Sequence, residues 1–390
     1  MDSGLNRIGQ LLEHEVELGH EIGISMGVIH NGEMVYRKEV GFADQASGLP
    51  MKEDTIFRMY SMTKPVTAVA MMILLERGMI DLLDPVSMYL DGFKEQKVWV
   101  DNQSVDVVRE VTIRDLLSMT SGIPYPGENC ESERVLDKVF QRVQETNENG
   151  GRIGTVEMCN LIGEAPLVFQ PGTKWLYGAS ADICGAIVEV VTGVIYSEFL
   201  KKEIFEPLGM KDTGFYVPEE KQGRFAELYT ISEETGTLEP CSWRHLALTD
   251  CKSEPAFESG GAGLVSTLDD YSKFVQMLLN GGTYQGTKIL SNKMVQFIRL
   301  PQVSMEVVGQ AGWESNLGYG YGNFMRIKMD SMTACSLGEV DEFGWDGWAG
   351  TYFFIDPTNQ VAMIYLVQRT DGVNPKLMRK LRNIIYSSLL

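Results

Sequence analysis

Residues 57–86 read FRMYSMTKPVTAVAMMILLERGMIDLLDPV, and this stretch sets the expectation for the rest of the chain. It opens on Ser61-Met62-Thr63-Lys64 and continues as an apolar run that stops at Arg77-Gly78. The run predicts a helix from about Ser61 to Arg77, ended by Gly78. A serine and a lysine three apart on a helix share one face, so the amine can reach the hydroxyl. Exposed backbone N–H groups and the dipole at a helix start favour a developing anion nearby. Serine is a weak nucleophile until a base stands beside it. Lysine can be that base where burial disfavours its ammonium form. Pro65 is tolerable only because it lies near the first turn. Ser61 is therefore the candidate nucleophile and Lys64 its candidate partner.

A competing motif lies upstream. Gly23-Ile24-Ser25-Met26-Gly27 matches G-x-S-x-G, which needs a strand, a sharp turn and then a helix. Here Asn31-Gly32 joins two strand-like runs, 23–30 and 33–42, as a hairpin. Ser25 falls inside the first strand and another strand follows, so it is set aside. The histidines, His14, His20, His30 and His245, are read as structural, since none is placed to serve a serine. His14-Glu15 does not begin an H-E-x-x-H motif, and no cluster has metal-ligand spacing. No metal or cofactor is expected.

Working outward, residues 5–19 carry a helical stripe, and the pattern from Gly78 to about 245 is mostly helical with long connections. The polar, Glu-rich stretch Cys130–Gly151 reads as an exposed helical insertion. Ser266-Thr267 before Asp269-Asp270 signals a helix start, and that helix ends at Asn280-Gly281-Gly282. Residues 351–355 and 361–367 read as a hairpin around Asp356-Pro357-Thr358-Asn359, and 375–389 as a closing helix. Strands thus gather at both ends of the chain and helices between them. Hairpins rather than βαβ units argue for an α+β fold with an antiparallel sheet flanked by helices. The economical architecture is one lobe from 1–60 and 250–390, with a mostly helical lobe, 61–249, inserted. The site would lie in the cleft between them.

The chain has 390 residues, 44% hydrophobic and 22% charged, with a formal net charge of −19. Such acidity repels nucleic acid and anionic membrane surfaces, so neither is expected as a partner. No apolar run reaches transmembrane length. The opening MDSGLNRIGQ lacks the apolar region of a secretory leader. The six cysteines, with no C-x-x-C pair, are expected to be free thiols in a reducing compartment, which predicts a cytoplasmic location.

Three segments give the chain a resemblance to the serine β-lactamase and penicillin-binding-protein superfamily, most of all to its class C-related branch, the family VIII carboxylesterases. They are Ser61-Met62-Thr63-Lys64, Tyr177 in PGTKWLYGASADICGAIVEVVTG, and Trp345-Asp346-Gly347 in FGWDGWAGTYFFIDP. LLSMTSGIPY (116–125) and ESGGAGLVSTLDDYSKF (258–274) support it, and the order of all five matches the family's. The resemblance implies a β-lactamase/transpeptidase-like fold and an acyl-enzyme on Ser61. It also implies Lys64 and Tyr177 as a general base pair, with the proton's taker left open. The backbone N–H groups of Ser61 and Trp348 would form the oxyanion hole. Tyr125, Trp345, Asp346 and Gly347 are the candidates for binding substrate.

Departures from the family pattern shape the expected substrate. Ala179 stands where β-lactamases usually have an Asn that grips an acylamino group. Trp345 replaces the Lys of Lys-Thr-Gly, and Asp346 adds a negative charge. Together they favour a neutral short-chain carboxylic ester over a carboxylate-bearing substrate. The alternatives are a β-lactamase, a D-amino-acid peptidase or an acyltransferase using the same site, and a catalytically silent ligand-binding protein of this fold.

Overall fold

An antiparallel sheet of eight strands draws on both ends of the chain, in the order Tyr319–Tyr321, Arg326–Lys328, Phe343–Asp346, Tyr352–Asp356, Val361–Leu366, Gly23–His30, Glu33–Asp44 and Leu49–Pro50. The computed structural model describes residues 2–241 and 245–390; residues 242–244, counted above in the helical middle, lie outside the described residues. The two halves of the sheet meet where Val361–Leu366 pairs with Gly23–His30, Ser25 opposite Leu366 and His30 opposite Val361. The Asn31-Gly32 hairpin has both residues at positive φ, 52° and 78°, the backbone that such a two-residue turn requires.

Side chains alternate along the central strands. Val361, Met363 and Tyr365 enter one core, and Ala362, Ile364 and Leu366 enter another. Both faces are apolar because helices cover both. Asp2–Glu17 and Pro375–Leu389 pack against each other over the first. Leu268–Leu279 packs on the second, and that core continues into the helix Thr63–Glu76. Residues 63–74 of this helix are all buried, which accounts for a sequence apolar on every side.

Local signals fix several helix starts. The Thr267 side chain accepts the Asp270 N–H. Asn374 accepts from Lys376 and Leu377, with Pro375 at the helix's first position. The helix expected from Ser61 begins instead as a single 3-10 turn, Tyr60–Met62, before the α-helix takes over at Thr63. Pro65 is then the third helical residue, where its missing N–H has no intrahelical acceptor to lose. The Glu-rich stretch is less exposed than its composition suggests. Glu131–Glu148 is an amphipathic helix that seats Leu136, Phe140 and Val143 in the core.

Candidate active site

Ser61 sits at a sharp reversal. Phe57–Arg58 pairs with Val265–Ser266, and the Met59 N–H reaches the Leu264 carbonyl at 2.9 Å. Tyr60 then takes φ +43°, a conformation that costs a bulky L-residue about 1–2 kcal/mol. Its ring is held by neighbours, edge-on to Trp348 at 5.2 Å and stacked on His245 at 5.5 Å. The reversal turns Ser61, partly exposed, away from the strand at the mouth of the buried helix.

Lys64, one turn on, is fully buried. Its Nζ lies 3.0 Å from Ser61 Oγ, 2.9 Å from the Tyr125 hydroxyl and 2.8 Å from the Gly261 carbonyl. An ammonium has three N–H groups and here finds three acceptors. The Gly261 oxygen can only accept, whereas a hydroxyl can donate or accept. A neutral Lys64 therefore keeps one N–H on Gly261 and can turn its lone pair to Ser61. Burial lowers the Lys64 pKa to about 7, against the opposing pull of Asp182 and Asp346.

Tyr177 stands across from the lysine, its ring centroid 4.6 Å from Nζ. Its hydroxyl accepts the Trp345 indole N–H at 3.0 Å. Burial raises its pKa above the ordinary phenol value, and the pull of Ser61 and Trp345 only partly offsets it. At neutral pH Tyr177 is a phenol and Lys64 is the group poised to change charge.

The turn bearing Trp348 is tied to the nucleophile's own backbone. The Gly347 N–H donates to the Thr351 carbonyl at 2.8 Å, and the Gly350 N–H to the Gly347 carbonyl at 2.9 Å. Thr351 Oγ1 donates to the Met59 carbonyl at 3.2 Å, two residues before Ser61. Ser61 and Trp348, the candidate donors to an oxyanion, thus belong to segments joined by hydrogen bonds.

Several sequence expectations need correction. Trp345 does not line the cleft. It is 1% exposed, behind Tyr177, with its indole N–H committed to the tyrosine. Asp346 is not an uncompensated charge, since its carboxylate pairs with Arg326 Nη1 at 2.8 Å. Gly347 is buried and serves the turn. Tyr125, expected only as a wall, touches Lys64 directly. Ser25 and Ala179 need no such correction: Ser25 lies in a central strand as expected, fully buried, its hydroxyl 3.4 Å from Glu39. Ala179 is buried and caps the helix Ser180–Thr192 without contributing a polar group.

Two other residues at the site carry no role in the sequence reading, Trp313 unmentioned there and His245 taken as structural. Trp313, 40% exposed, stands 5.3 Å edge-on to Tyr177. His245 packs 4.2 Å from Trp348, and burial lowers its pKa to about 4, so it is neutral at neutral pH. Trp313 thus adjoins Tyr177, and His245 adjoins Tyr60 and Trp348. Aromatic residues near the motifs were the only available signal, and composition alone cannot tell a wall from a core. Among the described residues no group of His, Cys, Asp or Glu is arranged to hold a metal ion, and none of the six cysteines is in a disulfide.

Comparison with known proteins identifies the family. The sequence profile of the Beta-lactamase family matches residues 8–385. Protein Rv1367c of Mycobacterium tuberculosis is 31% identical over 344 residues, spanning 85% of this chain and 81% of its own. Esterase EstB of Burkholderia gladioli is 28% identical over 384 residues, spanning 94% and 91%. The structure of EstCE1, a hydrolase with promiscuous acyltransferase activity, superposes with a TM-score of 0.84 at 23% identity and covers 98% of both chains. The chain belongs to the Beta-lactamase family, and is a serine hydrolase of the β-lactamase/transpeptidase fold, consistent with the family VIII esterases.

Proposed function

We propose that the protein is a carboxylesterase that cleaves short-chain esters through an acyl-enzyme on Ser61. The observation that carries this reading is the contact of Lys64 Nζ with Ser61 Oγ at 3.0 Å, with the ring of Tyr177, itself held by the Trp345 indole, facing the same lysine at 4.6 Å. Neutral Lys64 takes the Ser61 proton as Oγ bonds the ester carbonyl carbon. The oxyanion that forms is held by the backbone N–H groups of Ser61 and Trp348. Tyr177 passes a proton to the departing alcohol as the C–O bond breaks, and regains one from Lys64. Water then repeats the sequence on the acyl-enzyme and frees the acid.

A neutral ester suits the charges of the site. Lys64 is fully buried, and Arg326, 3% exposed at its side chain, is committed to Asp346. A carboxylate-bearing substrate would find neither cation accessible. Trp345 supplies a neutral N–H to Tyr177 where the related β-lactamases carry a cation. The likeness to Esterase EstB supports an ester substrate.

The test offers p-nitrophenyl butyrate and a chromogenic cephalosporin to the wild type, Ser61→Ala and Ser25→Ala. Ester turnover lost only in Ser61→Ala is the expected result. Faster cephalosporin turnover would overturn the substrate assignment, and ester turnover surviving in Ser61→Ala would overturn the nucleophile.

A further inference from the structure

Asp182 lies five residues after Tyr177, in the first turn of the helix Ser180–Thr192, and is 2% exposed. Its Oδ1 accepts the Ser259 hydroxyl at 2.5 Å and the Gly261 N–H at 3.0 Å. Ser259 Oγ in turn accepts the Ala262 N–H at 3.0 Å. These bonds fix residues 259–262, and the next carbonyl along, that of Gly261, accepts from Lys64 at 2.8 Å. The fit leaves no slack. A Cβ on Gly261 would stand 3.1 Å from Asp182 Oδ2 and 3.1 Å from the Tyr125 hydroxyl.

A buried carboxylate needs a compensating charge or a full set of hydrogen bonds. The cation acting on Asp182 is Lys64. The groups facing Lys64 are Ser61 from its own turn, Tyr125, Tyr177, and the carboxylates Asp182 and Asp346. Cys184 on the same helix, and Cys159 and Tyr196 from neighbouring helices, lie near Asp182, and burial holds all three in their neutral forms. Burial raises the Asp182 pKa above the ordinary carboxylate value, and the Ser259 bond, Lys64 and the Gly261 N–H act against that rise. Asp182 is thus the fully buried carboxylate of this cluster, linked to the lysine through a single backbone residue.

We propose that Asp182 is the positioning residue of Ser61 acylation, holding the Gly261 carbonyl on Lys64 and balancing the charge Lys64 acquires with the serine proton. This rests on the acyl-enzyme reading above. It assigns a task to a residue of the Tyr177 segment that has had none so far.

The test is the rate at which a fluorophosphonate labels Ser61 in the full chain, followed from pH 5 to 9 (an assay range of about four units around the lysine's region), with the labelled peptide mapped by mass spectrometry. Asp182→Asn keeps the shape and one acceptor but removes the charge. Its acidic limb should move about one unit to lower pH, because an anion that favours the ammonium is gone. Its plateau should fall roughly tenfold through the weakened Gly261 contact. Ser259→Ala keeps the charge, so its plateau should fall while its limb stays in place. A purely structural role would lower plateaus without moving the limb. A folded Asp182→Asn whose limb stays at the wild-type pH, or whose plateau is unchanged, overturns the proposal. If Asp182→Asn does not fold, Ser259→Ala decides, and an unchanged plateau there overturns it. A wild type left unlabelled at Ser61 would sink the acyl-enzyme reading instead.

Discussion

The indole N–H of Trp345 donates to the hydroxyl of Tyr177 at 3.0 Å, and this bond joins residues 168 positions apart. It fixes the phenol oxygen beside Ser61 and occupies one of its lone pairs, so the phenol's own proton is directed elsewhere. Trp345→Phe keeps the ring in its buried place and removes the donor. The expected outcome is a kcat lower by roughly tenfold, the value of about one hydrogen bond of 1.4 kcal/mol. KM for the ester should change little, since Trp345 does not face the cleft. A raised KM at constant kcat would return Trp345 to the role of a substrate wall.

The charge state of Lys64 gives a prediction in pH. Burial lowers its pKa to about 7, and it acts as a base only when neutral. Hydrolysis measured as kcat/KM should therefore rise with pH and level off above about 7. Stability follows the same group. An unfolded lysine keeps its proton up to its ordinary pKa of about 10.4, so from about 7 to there the unfolded chain binds more protons and stability rises with pH. Lys64→Met should abolish turnover and remove that rise, as read from thermal melts across the same range. A kcat/KM that falls with pH through 7 would contradict a neutral lysine base.

How much of this was readable in the sequence depends on the distance between partners. Ser61 and Lys64 are three apart, and a helix brings such pairs together whatever surrounds it. Asn31-Gly32 and Thr267 act within a turn, and both behave as their local chemistry requires. The contact from Lys64 to Tyr125 spans 61 positions, that from Asp182 to Gly261 spans 79, and neither has a local signature. Trp345 shows the same limit. The strand and its tryptophan could be read from the residues, but the direction of its N–H is set by packing between strand and loop. The charge of Asp346 was legible, while its neutralisation depends on Arg326, from a short strand of three residues with no turn motif to mark it.

Gly347 tests the oxyanion turn. A Cβ there would fall 2.5 Å from the Met59 carbonyl and closer still to Thr351 Oγ1. Gly347→Ala must therefore push the Trp348 turn away from the segment that carries Ser61. Labelling of Ser61 by a fluorophosphonate should slow by about 10²-fold or more, the typical effect of losing one oxyanion donor. The protein should still melt cooperatively, because the strain is confined to one turn. An unimpaired Gly347→Ala enzyme would remove Trp348 from the oxyanion hole.

The pair Arg326–Asp346 separates two accounts of substrate choice. If the Asp346 charge itself repelled carboxylates, Asp346→Asn would raise cephalosporin turnover. The 2.8 Å pairing with a guanidinium 3% exposed leaves little net charge facing the cleft, so no such gain is expected. The substitution should act on stability instead, since it strands a buried cation, typically at a cost of about 3–5 kcal/mol. The Arg326 guanidinium also lies 5.3 Å from the Trp345 ring centroid and 5.1 Å from that of Tyr352, so its displacement would disturb the support of Tyr177. Arg326→Met combined with Asp346→Asn removes both charges and should be more stable than Asp346→Asn alone. Urea denaturation of the two variants, run beside cephalosporin turnover, gives both answers. A stable Asp346→Asn enzyme with increased cephalosporin turnover would restore the charge-repulsion account.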